Sequence, residues 1–311
     1  MFQGMEYVYE VYKERSFSRA ARNLYISQPS LSASIRRIEA RIGAPIFDRS
    51  TTPISLTECG EEYIACVKQI LSIQNGFENY LSDLNGLKTG HLSLGGSSLF
   101  SSYVLPPLIS RFTFAYPDVS IHLTEENSAN LELLLENGTL DLVMDNSLFQ
   151  KSLTSHRIFQ SERLLLAVPA SCSINQALSF YRLPGEHIRR GIHLSDDIPP
   201  VPLEAFSQEP FIFLKPENDT RRRAMALCKM AGFVPHIVLE LDQQVTAYNI
   251  TGSGMGISFI SDTLVQNIPP HPKVVYYKLD GPESQRDILF YWKSSRYVSK
   301  AMETFLDMAC T

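Results

Sequence analysis

The sequence is short of the residues that build covalent, metal-bound or membrane-embedded scaffolds. It has five cysteines in 311 residues, Cys59, Cys66, Cys172, Cys228 and Cys310, an odd number without a C-x-x-C pair. That argues against a disulfide framework and for a reduced, cytoplasmic setting. No apolar run reaches membrane-spanning length and the first residues lack a signal-like hydrophobic stretch, so no membrane association or export is expected. The seven histidines are scattered without metal-ligand spacing. There is no G-x-x-x-x-G-K-[ST], H-E-x-x-H or G-x-S-x-G, and Gly252-Ser-Gly-Met-Gly256 lacks dinucleotide-fingerprint spacing and comes late in the chain. No catalytic residue, metal or cofactor is expected. An enzymatic or small-molecule-binding α/β protein with an unrelated N-terminal helical domain is the competing reading, and it must do without these motifs.

Positive charge is scarce overall, with a net charge of −5, but it is unevenly spread. Residues 13–49 carry eight Lys/Arg against three acids, net +5, whereas 91–311 are net −5. A basic head on an acidic body suits a chain in which the head alone meets phosphate. Within the head, Ser27 is a good helix N-cap and Pro29 falls in the first turn, where a missing N–H costs little. Leu31, Ile35, Ile38 and Ile42 form one apolar stripe. Pro29, Ala33, Arg36 and Arg37 lie opposite, with Ser30 and Ser32 at the edges. Phe17–Leu24 is a short helix whose Ala20-Ala21 pair allows a close crossing, and Tyr25-Ile26-Ser27 is the turn. The spacing fits a helix-turn-helix, and it equally fits an ordinary helical hairpin with solvated arginines.

Four blocks separate those alternatives. "SFSRAARNLYISQPSLS", "IRRIEARIGAPIFDRS" and "LTECGEEY" contain, in order, Ser-Phe-Ser-x-Ala-Ala, Ser-Gln-Pro-x-Leu-Ser, the Ile-Glu…Gly…Ile-Phe-x-Arg block and Leu-Thr-x-x-Gly. Residues 1–60 thereby resemble the DNA-binding domain of the LysR-type transcriptional regulators. The resemblance implies a winged helix-turn-helix over Phe17 to Arg36. It places Gln28, Pro29, Ser30 and Ser32 near bases, Arg36, Arg37 and Arg49 near the DNA backbone, and Ser18, Ala33 and Thr51 in the same interface. Two positions depart from the family. Ala33 stands where relatives carry a longer polar residue, and the wing segment Ser-Thr-Thr-Pro-Ile-Ser is uncharged, which implies fewer phosphate contacts.

Thr57 reads as the N-cap of a long helix, with Glu58, Glu61 and Glu62 in its first turns complementing the helix dipole. Tyr63, Ile70, Phe77 and Leu84 repeat every seven residues, and Val67, Gln74 and Leu81 fill the other seam position. This is a short coiled-coil pattern, from which a dimer seam of Tyr63, Val67, Ile70, Phe77, Leu81 and Leu84 is expected. Residues 85–90 read as a hinge. The expected domains are 1–60, a linker of 57–90, and a body of 91–311.

The body alternates strands and helices. Residues 91–96, 119–124 and 140–144 read as strands with helices between them, a βαβαβ pattern of a mostly parallel sheet. A second α/β unit follows from Arg163, with a return to the first near the end. The expected lobes are 91–162 with 267–311, and 163–266. "LPPLISRFTFAYPDVSIHLTEENSANLELLLENGTLDL" and "GSGMGISFIS" resemble the family's effector-binding domain, which implies a two-lobed, periplasmic-binding-protein-like fold. Residues 172–203 depart from it and read as a surface excursion, flexible or packed over the second lobe.

Ligands in such sheets sit at strand C-termini near helix N-termini. That selects Ser97, Ser98, Asn127, Ser128, Asp145 and Asn146, although each would also serve as a cap or turn residue. The resemblance adds Phe213, Leu214, Lys215, Gln243, Gln244 and Thr246. Lys215 suits an anionic effector, and a solvated loop lysine suits the sequence as well; a small organic acid is the expected ligand. The implied function is a cytoplasmic regulator binding double-stranded promoter DNA as a dimer or tetramer, in contact with RNA polymerase, under control of a small molecule between the lobes.

Overall fold

The computed structural model describes residues 1–84 and 90–310, without the side chains of Ser82 and Leu84. Residues 85–89 of the expected hinge at 85–90, and the side chain of Leu84, lie outside the described residues, while Gly90 begins a strand. Two compact units form, one built from Met1–Glu78, the other from Asn79–Glu136 and Leu140 onward.

The first unit begins with α1 (Met5–Glu14), α2 (Phe17–Asn23) and α3 (Gln28–Ile42). The hydroxyls of Ser16 and Ser27 accept from the backbone N–H groups of Arg19 and Ser30 at 3.4 and 3.3 Å, capping α2 and α3. Gly43, at φ +86°, ends α3 in a conformation that favours glycine. The apolar stripe of α3 does what its spacing predicts: Leu31 and Ile35 are fully buried with Val8, Val11 and Ala20. Each such Leu or Ile contributes roughly 1.5–3 kcal/mol by leaving water.

A two-stranded wing follows, β1 (Phe47–Asp48) and β2 (Ser55–Leu56), paired antiparallel. The long helix α4 (Glu58–Leu84) starts where Thr57 predicts it, with the Thr57 hydroxyl accepting from Gly60 N–H at 3.0 Å. Gly60 is dictated by packing, since a Cβ there would meet the carbonyl oxygen of Ile46 at 2.0 Å.

The dimer seam requires correction. Tyr63 (5% exposed) and Val67 (0%) are buried in the first unit's own core, and Ile70 packs against it. A period of seven reports one helix face but not which surface covers it. The first two turns of that face are covered by α1–α3 and the wing. Further along, Ile73 (73% exposed), Phe77 (61%) and Leu81 (43%) are exposed.

In the second unit, β3 (Gly90–Gly96), α5 (Leu105–Ala115), β4 (Val119–Glu125), α6 (Ser128–Glu136) and β5 (Leu142–Asp145) form the expected βαβαβ unit, with β3 parallel to both β4 and β5. The approach to α5 is a wider π-helical turn, Phe100–Val104. Next comes β6 (Thr154–Pro169), a 16-residue strand. Its C-terminal part alone is evident from sequence, because polar residues crowd 154–163.

The excursion at 172–203 packs on the second lobe, as one of the two expected alternatives has it, and sends side chains into the cores. It contains α7 (Ile174–Ala177), β7 (Arg182–Leu183) and α8 (Gly185–Arg189). Leu183, Ile188, Val201 and Leu203 are buried in the main cores. The remaining elements are β8 (Pro210–Leu214), α9 (Asp219–Met230), β9 (His236–Leu241), α10 (Gln244–Gly252), β10 (Ile257–Ser261), α11 (Asp262–Asn267), β11 (Val274–Lys278), β12 (Gln285–Lys293) and α12 (Lys300–Ala309).

The strands run β4-β3-β5-β12-β6-β10-β8-β9, with β11 pairing β6 and β7. β6 is shared: Thr154–Arg163 pairs with β12 in the first lobe, and Leu164–Pro169 with β10 and β11 in the second. β11 therefore stands with the second lobe, beyond the expected limit of 266. One core runs through both lobes, from Leu92, Phe112 and Phe290 to Leu165, Tyr248 and Tyr276.

The last turn of α4 docks on the first lobe. Asp83 Oδ2 accepts from Lys300 N–H at 2.9 Å, the start of α12, and from Tyr297 O–H at 2.8 Å. Asn79 Oδ1 accepts from His91 N–H at 3.2 Å.

Candidate nucleic-acid interface and effector site

The buried stripe of α3 leaves its other face in solvent. Gln28, Pro29, Ser30, Ala33, Arg36 and Arg37 are exposed, as is Ser18 on α2, while Ser32 is half-buried. Small residues at the start of the helix allow close approach to a groove, and arginines follow where a backbone would pass. Arg37 is held along the helix, its Nε donating to Ala33 O at 3.4 Å. Arg36 extends from the same face.

Arg49 is placed differently. Its Nη2 donates to Glu39 Oε2 at 2.9 Å, and its guanidinium lies 5.2 Å from the centre of the Phe17 ring. The other Glu39 oxygen accepts from the N–H groups of Ile46 and Phe47 at 3.0 and 3.4 Å. Glu39 and Arg49 thus tie α3 to the wing. Thr51 also faces inward, with Oγ1 accepting from Ser55 N–H at 3.0 Å and donating to Asp48 O at 3.2 Å. The Ser50 hydroxyl and N–H hold the Asp48 carboxyl below the usual carboxylate range. Tyr25, in the turn before α3, is 96% exposed with φ +55°. The sequence places it in the turn, and a large aromatic in a three-residue turn has little core to enter.

Of the strand-end residues of the first lobe, Ser128 and Asp145 meet directly, while Asn127 and Asn146 turn to other partners. Ser128 O–H donates to Asp145 Oδ2 at 2.9 Å, and Ser147 N–H donates to Asp145 Oδ1 at 2.7 Å. Asn127 Oδ1 accepts from Asn130 N–H at 2.9 Å, and Asn146 Nδ2 donates to Glu162 Oε1 at 2.7 Å. Burial pushes the Asp145 carboxyl above the usual range, against the hydrogen bonds from Ser147 and Ser128. Ser97 and Ser98, at the end of β3, are half-buried.

The second-lobe candidates divide. Phe213 (2% exposed) and Leu214 (4%) point into cores, a correction to their place as ligand-lining side chains; β8 is covered on both faces. Lys215 Nζ meets Asp242 at 2.8 Å on the surface, and the Asp242 hydrogen bond raises its pKa. Gln244 is buried and accepts from Ser261 O–H at 3.0 Å, whereas Gln243 is half-buried and Thr246 exposed.

An ion network where the lobes join was not evident from sequence. Arg286 on β12 donates from Nε to Glu162 Oε1 at 2.7 Å and from Nη1 to Asp219 Oδ2 at 2.9 Å, at the start of α9. Arg223 Nε donates to the same Asp219 oxygen at 2.7 Å. Burial would raise the Asp219 pKa, but the Arg286 charge and the arginine hydrogen bonds hold the carboxyl below its usual range. Nearby, His193 of the 172–203 segment meets Asp262 at 2.8 Å, fully buried. Among the described residues no group of three or more His, Cys, Asp or Glu could hold a metal ion, and no helix is long and apolar enough to cross a membrane.

Residues 2–61 match the family model of the bacterial regulatory helix-turn-helix protein, lysR family, and residues 85–310 match the LysR substrate binding domain. The chain belongs to the LysR family. It is a transcriptional regulator with an N-terminal helix-turn-helix and a two-lobed effector-binding domain. Among LysR-family relatives, the HTH-type regulator YcgK of Bacillus subtilis (strain 168) is 28% identical over 307 residues, covering 98% of this chain and 92% of YcgK. CbbR of Rhodospirillum rubrum is 26% identical, covering 96% and 93%. The fold is that of CbnR, a LysR family regulator, at TM-score 0.69 and 18% identity, covering 99% of this chain and 98% of CbnR. Full-length CbnR in complex with its target DNA aligns at TM-score 0.67 and 19% identity, covering 99% and 98%.

Proposed function

We propose that this LysR-family regulator reads duplex DNA with the exposed face of α3. Gln28, Pro29, Ser30, Ser32 and Ala33 meet bases, and Arg36 and Arg37 meet phosphates. Ser18 and Tyr25 flank them. The observation that carries this is the division of α3 into a buried Leu31–Ile35–Ile38 stripe and an exposed face ending in two arginines. The DNA-bound state of CbnR supports the same use of the fold. Arg49 and Thr51 serve the wing, and their contribution to DNA binding is through shape.

The chain acts as a dimer, and as a dimer of dimers, through the exposed stretch of α4 around Ile73, with the DNA-binding domain at 1–60, the linker at 57–90 and the effector-binding domain at 91–311. A small organic acid controls it from the first-lobe cluster of Ser97, Ser98, Asn127, Ser128, Asp145 and Asn146, facing Gln243, Gln244 and Thr246 of the second lobe. Its work is cytoplasmic, on promoter DNA and with RNA polymerase, and not catalytic.

Selection of duplexes from a random pool tests this reading. The purified protein should enrich an imperfect palindrome, with affinity falling steeply in salt as condensed counterions are released. Failure to enrich any sequence, or binding indifferent to salt, would overturn it.

A further inference from the structure

At the lobe junction a cavity of about 300 Å³ opens, lined mainly by the first lobe, by Arg223 of the second, and by Asn146 alone of the effector candidates. Its floor is aromatic: Phe149 and Tyr291 stack with ring centres 4.5 Å apart. Leu148 (71% exposed) and Ile158 (53% exposed) also line it, leaving apolar surface in water beside a concavity. Adjacent, exposed apolar residues around a pocket mark a binding site more often than a scattering of single ones does.

The polar lining is cationic. Lys151, Arg223 and Arg286 line the cavity against one acid, Asp287, whose Oδ1 accepts from Ser161 O–H at 2.6 Å. Arg286 is 5% exposed, and its Nη2 is a buried donor without a hydrogen-bond partner among the described residues. A buried guanidinium nitrogen left in this state favours any acceptor that can reach it. Glu162, which pairs with the same arginine, does not line the cavity.

We propose that this cavity is a second small-molecule site, taking a carboxylate with a compact apolar or aromatic body. The body lies over Phe149, Tyr291, Leu148 and Ile158, and the carboxylate turns to Arg286 and Arg223. Because both arginines also hold Asp219 of the second lobe, an anion there competes with Asp219 and alters how the lobes are joined. The site adds to the effector reading above; it shares Asn146 with it and none of its other residues.

The test is isothermal titration of the full-length protein with phenylacetate and with its neutral isostere phenylacetamide. Phenylacetate should bind saturably at millimolar concentration or below, with the amide about tenfold weaker or worse. Ile158→Glu, a change at an exposed wall position, should weaken phenylacetate about tenfold or more while melting temperature and DNA affinity stay as in the parent. Ser98→Ala should leave phenylacetate binding intact, which separates this site from the effector site at Ser98. Absence of saturable binding overturns the proposal. So does equal binding of the amide, binding unaffected by Ile158→Glu, or binding abolished by Ser98→Ala. None of these outcomes bears on whether the protein selects a DNA duplex.

Discussion

Arg286 stands directly opposite Glu162 in the β6–β12 ladder, and the two meet at 2.7 Å with side chains 2% and 0% exposed. An ion pair this dry is a matter of pairing more than of net gain, because removing one partner strands the other. Arg286→Met should cost about 3–5 kcal/mol in urea unfolding of the effector-binding domain. The double variant Arg286→Met, Glu162→Leu should recover much of that. A double variant no more stable than the single would mean that Asp219, not Glu162, is the partner that matters.

Acid should loosen the same junction. The Asp219 pKa is depressed in the folded protein, so the native state binds fewer protons there than the unfolded chain. Its contribution is therefore present above the unfolded carboxylate value and is lost as pH falls through the folded one. Asp145 works in the opposite sense: its folded pKa is raised, so its contribution is present at low pH and lost as pH rises through that value. Melting temperature against pH should show Asp219→Asn flattening the acid limb and Asp145→Asn gaining on the parent at neutral pH. Parallel curves for all three proteins would refute both assignments.

On DNA, Arg36→Ala should weaken binding to every duplex and lower the salt slope by about 1. Gln28→Ala should instead compress the differences between duplexes, by about 1–3 kcal/mol if the contact is bidentate. Competition binding at several salt concentrations distinguishes the two. An unchanged slope removes Arg36 from the phosphates, and unchanged relative affinities remove Gln28 from the bases.

Arg49→Ala should behave as a structural change. Its pair with Glu39 is about a third exposed on the arginine side, so the loss should be no more than about 1 kcal/mol in melting of the head. The salt slope should stay near the parent value, and a drop of a full unit would return Arg49 to the phosphate contacts.

The two ends of α4 should separate by experiment. Ile73→Glu places a charge in the exposed stretch and should lower the dimer fraction in sedimentation without unfolding the head. Val67→Ala trims a fully buried side chain and should destabilise the head by about 1–2 kcal/mol with assembly unchanged. A Val67→Ala chain that turns monomeric yet stays stable would restore Val67 to the seam.

What the sequence disclosed follows how local each cause is. Ser27 and Thr57 cap helices through neighbours three residues away, so the starts of α3 and α4 could be placed from the chain itself. That Ser128 and Asp145 lie together at strand ends follows from βαβ topology alone. The failures are non-local. Tyr63 and Val67 have the right spacing for a seam, but α1 and the wing cover them first. Phe213 and Leu214 end a strand whose two faces are both covered. Arg286 and Glu162 are 124 residues apart, and no pattern near either announces the other. In 172–203, buried leucines and isoleucines are separated by polar residues and short turns, which reads as loop until β11 supplies the partner strand.

Asp83 ties the end of the linker helix to one lobe of the effector domain. Through Lys300 N–H and Tyr297 it fastens the last turn of α4 to the start of α12, which packs on α5 and β3 in the first lobe. The end of α4 is thereby a strut of the first lobe. The second lobe is joined to the first by the continuous backbone of β6 and by the returning segment between β11 and β12. The chain thus crosses between the lobes twice, and Asp83 sits on the lobe it enters first.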